Sequence, residues 1–166
     1  VEKVIERLSK DKEYIRVATG EHQVILTGLI QGVPFKIMID SLIPNECIVD
    51  RKLMAGFPDA WVDGQRVSWW EAWGYDVQAA IYQYIYEQNT GERLPFRLAA
   101  ASKEKVPDIR VCEFSENTLQ NALGEVMSYV ERYQDIKQGM IAPEECGECD
   151  WCKANKKIKR EAYEII

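Results

Sequence analysis

The chain reads as an α/β protein in which a central mixed β-sheet carries helices on both faces. Three observations predict this. Short apolar and β-branched runs bounded by turn residues alternate with stretches of helical periodicity. Their order is helix, three strands, helix, two strands, helix. At 166 residues and 46% hydrophobic content, the chain is one domain long and can bury a core between such layers.

The first element is an amphipathic helix, with Val1, Val4, Ile5 and Leu8 of VEKVIERLSK on one face. The chain opens on Val1, so it reads as a trimmed piece in which this helix continues from earlier residues and an N-terminal part of the site is missing. Residues 21–41 predict a hairpin: alternating β-formers, a Gln31-Gly32 turn, then Pro34 at the start of the return strand PFKIMID. A Pro44-Asn45 turn leads to a third strand at 46–51. From Leu53 to Trp70 periodicity is lost, and two glycines, Pro58, Trp61, Trp69 and Trp70 predict a long, partly ordered loop beside the third strand. Aromatic side chains there can stack on nucleic-acid bases, though simple packing is their commoner use.

Glu71–Gln88 is the strongest helical pattern, with Val77, Ala80, Ile81 and Tyr84 in one stripe and Asn89-Thr90-Gly91 as its stop. Phe96–Ala101 and Ile109–Phe114 are two further strands. Ser115 caps a helix running to about Lys137, whose inner face is Leu119, Ala122, Leu123, Val126, Val130 and Tyr133. After Pro143 comes CGECDWC and a short basic helix ending in YEII. This divides the chain into a core at 1–142 and a cysteine-containing tail at 143–166.

Two aspartates close the apolar strands KIMID and CIVD, and a lysine follows the second at two residues: Asp40, Asp50 and Lys52 form D-x9-D-x-K. An unpaired carboxylate at such a place is costly. Two carboxylates on adjacent strands can converge on a hard divalent cation, and Mg²⁺ takes few protein ligands, keeping waters and substrate oxygens for the rest. The Arg51 backbone carbonyl lies on the same edge as a third ligand. Alternation puts Lys52 on the face of Asp50, where an ammonium can orient an attacking water or stabilise charge on a phosphate.

The helix behind this motif, YDVQAAIYQ, presents Gln78 and Tyr82 as Q-x3-Y, preceded by Tyr75 and Val77. In front, Glu21 opens the first strand, Gly32-Val33 makes the turn, and Lys36 precedes Asp40. Over residues 20–90 the pattern resembles the RecB-like nucleases of the PD-(D/E)xK superfamily, and most closely the phage and prophage exonucleases of the exodeoxyribonuclease VIII (RecE-type) group. The resemblance implies a restriction-endonuclease-like core, Mg²⁺ or Mn²⁺ on Asp40 and Asp50, a catalytic Lys52, and Gln78 positioning the scissile strand. It also implies Glu21 as a further acid and Tyr82 as a core or DNA-backbone contact. Relatives carry an upstream histidine that His22, placed in the hairpin, does not match. The implied activity is metal-dependent digestion of DNA in recombination, acting on linear duplex ends. The resemblance also implies an annealing protein that receives the single strand, and a homo-oligomer.

The remaining chemistry lies in the cysteines. Cys146, Cys149 and Cys152 form C-x2-C-x2-C, three of the four ligands that either Zn²⁺ or a [4Fe–4S] cluster needs. The fourth would come from Cys47, from Cys112 or from the missing N-terminal part, while Cys47 and Cys112 themselves read as buried packing. Some RecB-like nucleases of the CRISPR- and helicase-associated branches close on an iron–sulfur cluster, so an iron–sulfur nuclease is one alternative; a DNA-binding module without activity on the same fold is another. The odd count of five cysteines and the absence of a signal peptide fit a reducing cytoplasm. No apolar run reaches the ~20 residues of a membrane span. The net charge of −6 weighs against a nucleic-acid partner, but a metal site concentrates carboxylates and only the groove needs to be positive. KANKKIKR at 153–160 is locally basic.

Overall fold

The computed structural model describes residues 2–62 and 64–157. Two short helices come first, α1 (Glu2–Ser9) and α2 (Lys12–Ala18). On α1 Val4 is buried, whereas Ile5, expected beside it, is largely exposed. The second helix was not part of the sequence reading. Its start is local chemistry: the Asp11 carboxylate accepts the Tyr14 N–H at 2.9 Å.

The hairpin follows as β1 (Glu21–Ile30) and β2 (Val33–Ile43), then β3 (Cys47–Met54). Gln31 and Gly32 both have positive φ, 49° and 79°, the two-residue turn whose twist suits a hairpin. The expected loop after β3 is more ordered than its composition suggests. β3 runs on through Met54, a separate two-stranded ribbon forms from β4 (Ala60–Val62) and β5 (Gln65–Val67), and the short helix α3 (Trp69–Ala72) follows. Trp69 is buried against Phe57, 4.9 Å between ring centroids, and Trp70 packs edge-on to Phe114, while Trp61 stays exposed. Buried aromatic packing supplies the order that periodicity could not reveal.

The single long helix expected from Glu71 is broken. Gly74, at φ 63°, separates α3 from α4 (Tyr75–Thr90), which ends on Gly91 at φ 76° with its N–H on the Glu87 carbonyl. Then come β6 (Phe96–Ser102), β7 (Ile109–Glu113), α5 (Glu116–Gln138) and α6 (Asp150–Asn155). The five long strands form one mixed sheet in the order β1-β2-β3-β6-β7, with β3 and β6 parallel and the other neighbours antiparallel.

Helices cover both faces, as predicted. Ile37, Ile39, Ile48, Leu98 and Ala100 pack in one core with Ala79, Ala80 and Ile85 of α4 and Leu119, Ala122 and Val130 of α5. Their strand neighbours Cys47, Val49 and Ala99 point the other way, onto Tyr14 and Val17 of α2. The end of α4 is tied to β1. Gln88 accepts the Leu29 N–H and donates to the Leu29 carbonyl, and Asn89 donates to the Thr27 carbonyl, at 2.7–3.0 Å. Gly28 permits this approach: a β-carbon there would lie 2.5 Å from Gln88 Oε1 and 2.7 Å from Ile85 Cδ1.

Two units divide the chain, Val1–Glu131 and Arg132–Ile166. The second begins within α5, which stops at Gly139 (φ 75°) with Gly139 N–H on Ile136 and Met140 N–H on Asp135. Tyr133, expected on the inner face of this helix, is exposed. The basic helix expected through YEII lies mostly outside the described residues. Among the described residues no helix is long and apolar enough to cross a membrane.

Candidate active site

Strand register brings the two aspartates opposite each other. β2 and β3 pair at Ile43–Cys47, Leu42–Ile48 and Ser41–Val49, and the ladder stops there. The next rung would join Asp40 to Asp50. The opening coincides with a break in the neighbouring pair of strands. Gln23, which would face Asp40 across β1, has φ 55° and drops out of the β1–β2 ladder. The facing of β2 slips at the same place, since Ile37, Ile39 and Leu42 share one core while the Ser41 hydroxyl bonds to the Val17 carbonyl.

Each carboxylate is then held by a different device. Asp40 Oδ2 accepts the Arg51 N–H at 2.8 Å, taking the bond that β2 backbone would have made. In an extended strand a residue's N–H and C=O leave on the same edge, so the Arg51 carbonyl also projects towards the Asp40 side. The Asp40 carbonyl lies 3.2 Å from His22 Nδ1 and 3.5 Å from Arg51 Nη2.

Asp50 is only 3% exposed. Its Oδ1 accepts from Gln78 Nε2 at 2.8 Å. Its Oδ2 lies 2.8 Å from Lys52 Nζ in an ion pair and has no other donor. Burial pushes the Asp50 carboxyl above the usual carboxylate range, and Asp40 adds to the rise; Lys52 and Gln78 oppose it. Lys52 in turn sits over the Tyr75 ring, 4.9 Å from its centroid. Asp40, Asp50, Lys52 and Gln78 thus lie together beside the end of the β2–β3 ladder. Glu21 stands opposite Leu42 at the exposed start of β1, with no bond to the other four. Tyr82 packs edge-on against Phe96.

Residues 1–155 match the model of the family described as PDDEXK-like domain of unknown function (DUF3799). The chain belongs to this family. The PDDEXK-like domain is also similar to a solved structure from Eubacterium rectale described as "Putative exonuclease". The two are 41% identical with a TM-score of 0.89, over 96% of this chain and 60% of that one. The domain therefore spans about three-fifths of that protein's length. No curated protein matches the chain.

Beyond Tyr75 the PDDEXK-like domain has an open cleft of about 910 Å³, lined by Phe57, Trp69, Trp73, Tyr75 and Arg110, with Glu104 and Asp108, among others. Arg110 lies 4.7 Å over the Phe57 ring, and Trp73 is 68% exposed. Tyr75 belongs to both the cleft and the Lys52 contact. Neither Tyr75 in this role nor His22 beside Asp40 was found from sequence. The register of His22 with Ser41, one rung from Asp40, is a signal for the second.

In the second unit Cys146, Cys149 and Cys152 come together, their sulfurs all within 4.8 Å of one another. The Cys146 thiol is drawn down to about 7, chiefly by the Cys149 N–H and then by that of Glu148. Cys47 is fully buried beside Arg97, as the packing reading has it, and Cys112 is partly buried.

Proposed function

We propose that the domain is the catalytic part of a metal-dependent deoxyribonuclease, of the phage-type exodeoxyribonuclease class. It would act on linear duplex ends in DNA recombination and pass single strands to an annealing protein, with a homo-oligomer as the working form. One observation carries the reading: a buried carboxylate, Asp50, held at Oδ1 by Gln78 so that Oδ2 faces Lys52 and no other donor. Such an oxygen suits a cation, and the donor set is all oxygen, as Mg²⁺ or Mn²⁺ requires. Asp40, Asp50 and the Arg51 carbonyl would hold it. When bound, the ion supplies a polarised phosphate and a water acidified enough to attack.

The side chains then have distinct tasks. Gln78 keeps Oδ1 occupied and so fixes the rotation of the Asp50 carboxylate; by family resemblance it also positions the scissile strand. The Arg51 N–H fixes Asp40. Lys52 places a positive charge on the Oδ2 side of Asp50, steadied by Tyr75, where negative charge builds on the scissile phosphate. Glu21 is the further acid of this reading. The cleft with Phe57, Trp73 and Arg110 gives bases a stacking surface beyond Tyr75.

The test is digestion of linear duplex DNA by the full-length protein with Mg²⁺, beside Asp50→Ala and Lys52→Ala. The expected result is loss of digestion in both variants. Equal rates in all three would refute the assignment, and a folded, DNA-binding protein without activity would establish the non-catalytic module instead. Closed circular DNA should resist; its cleavage would replace the exonuclease reading with an endonuclease.

A further inference from the structure

The cysteine turn is short and two of its three thiols are exposed, so core packing does not explain why all three meet there. Cys146 and Cys149 are exposed and Cys152 is buried. The sulfurs of Cys146 and Cys152 are 3.8 Å apart. The Cys149 N–H donates to Cys146 Sγ at 3.3 Å, and the Cys152 N–H donates to Cys149 Sγ at 3.4 Å. Gly147, at φ 75°, makes the turn that aims these amides at sulfur. Two of the sulfurs thus accept backbone N–H groups and the third lies against Cys146, the arrangement a thiolate metal site uses.

The spacing of the sulfurs distinguishes the candidate metals. Three thiolates about 2.3 Å from one tetrahedral ion lie about 3.8 Å apart. In a [4Fe–4S] cluster each thiolate sits on a different iron, so an Fe–Fe edge separates neighbouring sulfurs as well as two Fe–S bonds. The observed set, with one pair at 3.8 Å and none beyond 4.8 Å, matches a single ion. The geometry points to a mononuclear Zn²⁺ site held by Cys146, Cys149 and Cys152, in place of an iron–sulfur cluster. Among the described residues no fourth His, Cys, Asp or Glu joins them. The fourth position falls to solvent or to a group outside those residues. The ion would clip the turn to the start of α6.

The inference does not depend on the nuclease reading, and its readouts do not use DNA digestion. The full-length protein, purified anaerobically, would be analysed for zinc, iron and acid-labile sulfide, beside Cys149→Ser. We expect one zinc per chain, lost in the variant, and no visible cluster absorbance. Exchange of Co²⁺ into the unaltered protein should give the d–d bands of a tetrahedral thiolate site, a readout that needs no substitution and so survives misfolding of the variant. Stoichiometric iron with sulfide would overturn the proposal. So would stoichiometric copper, or a protein that holds no metal and gives no tetrahedral Co²⁺ spectrum.

Discussion

Gln78→Leu tests whether a helix side chain sustains the charge on Asp50. The substitution keeps the volume of a partly buried side chain and removes the 2.8 Å bond to Oδ1. A hydrogen bond to a charged group contributes about 1.5–3 kcal/mol, and one between neutral groups about 1 kcal/mol. Asp50 has its carboxyl raised by burial, so its ionised form costs the fold stability above the folded pKa, and that cost is relieved as pH falls through it. Losing Gln78 raises that pKa further. Without metal, the variant should therefore be about 2 kcal/mol less stable near pH 8, where Asp50 is ionised, a fall of roughly 4–8 °C in Tm for a chain of this size. Well below the folded pKa the difference should shrink to about 1 kcal/mol. Urea denaturation followed by tryptophan fluorescence at the two pH values measures both. An equal loss at both, or none at the higher pH, would mean that Gln78 does not act on the charge.

Two other consequences are open to measurement. Proton and metal compete for Asp50, so Mg²⁺ affinity measured by calorimetry should fall about tenfold per pH unit below the raised Asp50 pKa, and be flat above it. Gly28→Val would force a β-carbon into Gln88 and Ile85 and should cost about 1–3 kcal/mol in urea denaturation, an overpacking penalty.

Much of the architecture is legible before folding. The hairpin follows from Gln31-Gly32, because a two-residue turn sets the register of both strands. Asp40 and Asp50 could be paired because each closes an apolar run on one of two adjacent strands, although both strands continue past them, to Ile43 and Met54, and Lys52 follows by alternation. What sequence does not carry is where a ladder opens. The positive φ of Gln23 and the slip at Asp40 arise between strands, yet they free Asp40 to take the Arg51 N–H. The break at Gly74 is hidden because helical periodicity continues on both sides of it. It begins α4 at Tyr75, under Lys52. The burial of Gln83 is equally invisible: its amide is satisfied by the Leu94 carbonyl, far enough along the chain that only the fold joins them.

The carboxamides of Gln88 and Asn89 have a meaning beyond joining a helix to a strand. β1 is the last strand on its side of the sheet, and a terminal strand offers backbone groups to any extended segment that drifts past. Near its end three of those groups, the N–H and C=O of Leu29 and the C=O of Thr27, are already taken by side chains that present no strand of their own. That end of the edge is closed to a pairing strand, a local block on templated aggregation.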